Sequence, residues 1–188
     1  MAGVIKIKGL EAVMANLNKE ILKIEGRTTA GLIEGAMLIY RSMDKTSPRI
    51  PLDLGNLRAS WFTVTSKNVG VGSRGGIAKP FKGKEGSKMQ GERGAAIVEA
   101  KGILSPIKVP SLMMGFSANY ATFVHEAVDA NFAGDSTKIK RTKSGKVTAK
   151  TRKYTRRVGA GAKFFESAIK RNSGKVIKII QMNAIIKK

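Results

Sequence analysis

The sequence predicts an α+β fold: a long N-terminal helix and a C-terminal helix packed on a small antiparallel sheet, with long basic loops between. Three observations carry this expectation. Apolar residues recur at helical spacing from Leu10 to Met43, and again from Phe164 to Ile185. Between those stripes lie short apolar or β-rich runs, Trp61 to Thr65, Ala95 to Lys101 and Leu112 to Ser117, which read as strands. The chain has 188 residues and no cysteine, enough to bury one core without disulfides, so a single domain over 1–188 is expected.

The elements follow in order. Val4 to Lys8 alternates apolar and basic residues over too few positions to separate a short strand from an extended lead-in. Leu10, Val13, Met14, Leu17, Ile21 and Ile24 then form one helical face. Leu32, Ile33, Ala36, Met37, Tyr40 and Met43 continue it past Gly26, where a bend is allowed. Ser47-Pro48 ends this helix, because the residue before proline is pushed out of the helical region. Pro51 to Ser60 reads as a turn feeding the strand at Trp61. The glycine-rich basic stretch 70–94 reads as a loop or hairpin tip, too long for a plain connection. Three runs in succession suggest an antiparallel meander. A short helix is expected over Tyr120 to Val128, capped by Asn119, with Tyr120, Phe123, Val124 and Ala127 facing the sheet and His125 and Glu126 near its edge. The final helix is expected from Ala162 to about Ile186, with a weak point at Asn172-Ser173-Gly174.

Charge narrows the function. The net charge is +22, from 35 Lys and Arg against 13 Asp and Glu. Such a field favours a polyanionic partner, either nucleic acid or an acidic protein surface. It is densest in the second basic loop, 133–158. Ten basic residues stand between Thr137 and Arg157 with no acidic one: Lys138, Lys140, Arg141, Lys143, Lys146, Lys150, Arg152, Lys153, Arg156 and Arg157. Like charges at that density repel, so this arm is expected to be mobile when free and to order against DNA or an acidic partner. No apolar run reaches the roughly 20 residues that span a bilayer, and no membrane partner is expected.

Three segments hold the remaining information. The first is Pro51-Leu52-Asp53-Leu54-Gly55-Asn56-Leu57-Arg58-Ala59-Ser60-Trp61. Asp53 and Asn56 can bond nearby backbone, Gly55 permits positive φ, Leu57 anchors the turn, and Arg58 offers a donor fork to a carboxylate on the same or a neighbouring subunit. By itself it is a helix-to-strand corner. The second runs from Asn119 through Tyr120, His125 and Glu126, and the third from Gly161 through Phe164 and Phe165 to Ile169. In that order, after a helix opening Ile-Lys-Gly-Leu, they resemble the tail-completion, or head-tail connector, proteins of long-tailed bacteriophages. The resemblance spans about Ile5 to Asn172 and is strong only in these segments and the leading helix. It departs at Leu54, where the family usually has threonine, and in the two expanded basic loops.

The resemblance implies a virion protein of the neck, assembled in the host cytoplasm into a homo-oligomeric ring between connector or stopper proteins and the tail. It implies a structural role and no cofactor. The residues agree with a non-enzymatic reading. His125 is the single histidine, no cysteine accompanies it, and no nucleophile motif or phosphate-binding loop is present. The rival reading is a sequence-independent nucleic-acid-binding protein.

Overall fold

The computed structural model describes residues 9–52, 55–66, 80–130, 132, 136–141, 147–152 and 157–185. Among them the α+β expectation holds. Helix α1 runs Leu10–Lys45 without interruption at Gly26, and α5 runs Phe164–Ala184 without interruption at Gly174. The two pack antiparallel. Ser42 lies beside Arg171, Gly35 beside Val176, and Gly31 beside Ile180 and Asn183. Glycine is required at that crossing. A Cβ on Gly31 would stand 3.0 Å from the Ile180 Cα, and one on Gly35 would stand 2.8 Å from the Val176 Cγ1.

Strand β1 (Trp61–Thr65) pairs antiparallel with β2 (Leu112–Phe116), with Trp61 opposite Phe116 and Val64 opposite Met113. Period-two alternation sends Trp61, Met114 and Phe116 to the α1/α5 side, where they join Ile39, Tyr40, Met43, Ile50 and Phe164 in the main core. Phe62, Val64 and Met113 face the other way. There they meet Ile97, Ala100 and Leu104 of helix α3 (Gly86–Leu104) and form a second, smaller core. The sheet is therefore covered on both sides.

Helix α3 corrects two expectations. The run Ala95 to Lys101 is the second half of this helix, not a strand, and of the expected loop 70–94 the residues from Gly86 onward belong to it. An apolar run of that length cannot separate strand from helix by periodicity. Gly91, Gly94 and Gly102 masked the helix further, each lowering helix propensity while contacting nothing that requires a glycine. The meander is accordingly absent: β1 and β2 are joined through α3, and the second sheet is a separate ribbon of β3 (Ser136–Arg141) and β4 (Val147–Arg152). Within the expected 133–158 loop, Ser136–Arg141 and Val147–Arg152 are thus strands paired antiparallel.

Two smaller differences concern the short helix. Helix α4 spans Ala121–Glu126, and its N-cap position is Tyr120, with no side-chain cap from Asn119. Phe123 is 77% exposed rather than packed on the sheet, while Ala121 is buried and Val124 packs against the main core. Val4 to Lys8 and residues 70–79 lie outside the described residues. No helix among the described residues is long and apolar enough to cross a membrane.

Candidate functional site

The three segments that carry the resemblance converge. Past the end of α1, Ile50 is fully buried and its N-H donates to the Met43 carbonyl at 3.0 Å, which folds the chain back on its helix. Arg49 then pairs with the strand-like segment before α5: its N-H donates to the Gly159 carbonyl at 2.7 Å, and the Gly161 N-H donates to the Arg49 carbonyl at 3.2 Å. Gly55, at φ 88°, opens the one-turn helix α2 (Asn56–Ala59) in the left-handed region that a side chain would resist. Leu57 is buried beneath it. Asn56 bonds the backbone of Lys82 twice, donating to its carbonyl at 2.9 Å and accepting from its N-H at 2.8 Å.

The polar centre of this corner is Asp44, in the last turn of α1. Its Oδ2 accepts from Arg58 Nη2 at 2.5 Å, and its Oδ1 accepts from Arg157 Nη1 at 2.6 Å. Arg157 Nη2 also donates to the Asp44 carbonyl. Asp44 is 15% exposed, and the two arginines are 21% and 20% exposed. One carboxylate thus ties the first segment and the end of the basic arm to the end of α1. Arg58 finds the carboxylate expected of it, on the same chain. Arg157, grouped with the arm as a candidate contact for DNA or an acidic partner, is engaged inside the chain.

The second and third segments meet a few residues away. Lys163, at φ 54°, turns the chain into α5, and its N-H donates to the His125 carbonyl at 2.7 Å. The Glu166 N-H, in the first turn of α5, donates to His125 Nε2 at 3.4 Å. That nitrogen therefore offers its lone pair, so the ring proton sits on Nδ1 and is donated to Glu126 Oε1 at 2.7 Å. Glu126 also accepts from Lys163, and Glu166 accepts from Lys170 at 2.6 Å. The Lys163 ammonium, followed by His125, holds the Glu126 carboxyl below its ordinary range. Lys170 does the same for Glu166, while Glu126 raises Lys163. His125 is a remote cap for an otherwise uncapped helix N-terminus.

Aromatic contacts close the arrangement. Trp61 lies 5.5 Å from Tyr40, 5.3 Å from Phe116 and 5.8 Å from Phe165, and Phe164 lies 5.6 Å from Phe116 and 5.1 Å from the His125 ring. Phe164 is fully buried and Phe165 partly so, as core residues. Between α4 and α5 this leaves a cleft of about 210 Å³ lined by Gly115, Phe116, Ala121, Thr122, His125, Phe164 and Phe165. No protein-family model, curated protein or solved structure matches this chain.

Asp53 and the arm residues Lys143, Lys146, Lys153 and Arg156 lie outside the described residues. Lys138, Lys140 and Arg141 fall on β3, and Lys150 and Arg152 on β4. Tyr120 stands at the entry to α4. Sequence reasoning missed Asp44, although a signal was present. A carboxylate in the last turn of a helix opposes the helix dipole, so its presence there calls for a cationic partner. Among the described residues no group of three His, Asp or Glu is placed to hold a metal ion.

Proposed function

We propose that this chain is a structural protein of the bacteriophage neck, one subunit of a homo-oligomeric ring that joins the head to the tail and completes the tail. The observation that supports it best is the convergence of the three segments resembling tail-completion proteins. Scattered over about 120 positions, they supply one corner, one helix cap and one aromatic core. Their polar side chains are spent on that assembly: Arg58 on Asp44, Asn56 on Lys82, His125 on Glu126 and on the start of α5. Such a use suits a scaffold that carries load between neighbours, and on this reading the subunit performs no chemistry. Its partners are connector or stopper proteins on one side and tail proteins on the other, in a virion assembled in the host cytoplasm.

A second reading, sequence-independent binding of nucleic acid, draws on the β3-β4 ribbon. Its register sets Lys138 opposite Lys150, and its two strands carry Lys138, Lys140, Arg141, Lys150 and Arg152 with no acidic residue. Like charges on paired strands destabilise a ribbon unless an anion intervenes. A phosphate backbone or an acidic protein surface would both serve, so the ribbon is compatible with either reading.

Electron microscopy of the purified protein, alone and added to tail-deficient particles, tests the proposal. Rings, or density at the neck, are the expected result. Monomers that coat DNA and leave particles unlabelled would overturn it in favour of the second reading.

A further inference from the structure

Helix α5 begins without a cap of its own. Its N-cap position is Lys163, whose side chain has no acceptor to offer the unpaired N-H groups of the first turn. Glu166, the third residue of that turn, is one that an N-cap side chain ordinarily serves. Its N-H donates instead across the fold to His125 Nε2 at 3.4 Å, while the Lys163 N-H donates to the His125 carbonyl at 2.7 Å. One residue of α4 thus holds the start of α5 twice, once through its backbone and once through its ring. Only the second bond depends on a proton.

The imidazole accepts at Nε2 only while it is neutral. Protonation puts an N-H on that nitrogen, so both ring nitrogens become donors and the Glu166 N-H loses its acceptor. The new N-H would also face the positive end of the α5 dipole. Solvent reaches the ring, which is 18% exposed and lines the cleft between α4 and α5. Imidazole is the side chain that ordinarily changes charge between pH 5 and 8.

The surrounding charges do not replace the lost contact. Glu126 on α4, bonded to Nδ1 at 2.7 Å, and Glu166 on α5 favour the imidazolium, whereas Lys163 and Lys170 of α5 oppose it. These two carboxylates and two ammoniums sum to zero. They are 40–75% exposed, so water screens what remains. From β2 the cleft presents Gly115 and Phe116, neither titratable, and the Phe164 ring stands 5.1 Å from the imidazole. The charged groups set the pH at which the ring titrates, but none restores an acceptor at Nε2.

We infer that His125 is a pH-sensitive latch between α4 and α5: neutral, it caps α5, and protonated, it releases the first turn of that helix. The cap is complete while the ring is neutral and is lost as pH falls through the ring's titration. Release is local, because the bond from the Lys163 N-H to the His125 carbonyl does not titrate and Phe164 remains buried in the main core. What loosens is the wall of the cleft. The inference goes beyond the neck reading and concerns the subunit alone, so either can fail without the other.

Nuclear magnetic resonance of the full ¹⁵N-labelled chain between pH 5 and 8 provides the test, and the single histidine gives one imidazole to follow. The neutral ring is expected to carry its proton on Nδ1. Amide exchange at Glu166, corrected for its intrinsic pH dependence, is expected to accelerate about fivefold as the ring takes up its second proton, the usual effect of losing one helix cap. Exchange at Val176, midway along α5, is expected to stay unchanged over the same range. His125→Gln offers a carboxamide oxygen that does not titrate, and it is expected to abolish the step at Glu166. A neutral ring protonated on Nε2, Glu166 exchange that ignores the ring's titration, an equal acceleration at Val176, or a step that survives His125→Gln overturns the inference. Glu126 and Glu166 themselves titrate below the ordinary 4.5, outside this window.

Discussion

Replacing Asp44 by alanine should be the most damaging single polar substitution in the described structure. The change leaves Arg58 and Arg157 facing each other across the vacated carboxylate, with both guanidiniums about four-fifths buried. Removing one partner from a buried ion pair costs roughly 3–5 kcal/mol, because the remaining charge is left desolvated and uncompensated. Residual exposure lets water reach both arginines, so the expected loss is smaller, about 2–3 kcal/mol. For a chain of this size that lowers Tm by about 4–12 °C. Asp44→Asn keeps one acceptor and should lose about half as much. Arg58→Ala and Arg157→Ala should each cost less than Asp44→Ala, since the carboxylate retains one arginine. Their double variant should depart from additivity by at least about 0.5 kcal/mol, because the two share one partner. Urea unfolding followed by Trp61, the single tryptophan and a buried one, supplies the free energies. A loss under about 0.5 kcal/mol for Asp44→Ala would refute the view that this carboxylate holds the corner together.

Gly31→Leu should cost at least about 2 kcal/mol by forcing α1 and α5 apart, whereas Gly26→Ala, where an added Cβ meets nothing within 4 Å, should stabilise by about 0.5–1 kcal/mol; equal effects in urea unfolding would rule out close packing at Gly31. The His125 corner should weaken in acid. Glu126 and Glu166 have carboxyls held below the ordinary 4.5, so their contribution is complete above that pH and is lost as pH falls through the lowered values. Lys163 is raised above 10.5, so its share is complete below that pH and lost as pH rises through the raised value. Glu126→Gln should flatten the acid limb of a stability-versus-pH curve, and an unchanged limb would count against the corner. Where DNA binding is observed, neutralising Lys138, Lys140, Lys150 and Arg152 to glutamine should reduce the slope of log affinity against log salt by up to about 3.6; an unchanged slope would remove the ribbon from the interface.

The sequence was most legible where one residue type can do only one thing. The stripes of α1 and α5 read correctly because long helices repeat their signal many times, and each runs on through its glycine. Gly55 and Arg58 read correctly because left-handed backbone and a carboxylate-directed fork are narrow requirements. Helix α3 was hidden because its buried face is confined to a few positions, Met89, Ala100 and Leu104, amid glycines and exposed Val98 and Ile103. The pairing of Asp44 with Arg157 joins positions 113 residues apart, which no local pattern encodes. The exposure of Phe123 reflects where α4 sits against α5, a tertiary fact. Its spacing from Tyr120 and Val124 looked like a buried face.

The ion pairs that organise the corner also bear on what lies outside it. Asp44, Glu126 and Glu166 are engaged by Arg58, Arg157, Lys163 and Lys170, so these acidic residues already have cations within the fold. Even if every one of the 13 acidic residues took one basic partner, 22 basic residues would remain unmatched. Internal pairing therefore cannot discharge the chain, and self-repulsion opposes compaction unless anions gather on its surface. The corner fixes the body by using opposite charges at close range, while the β3-β4 ribbon carries five basic residues and no acidic one. On the proposed reading, that surplus would be met by acidic surfaces of the neighbouring neck proteins.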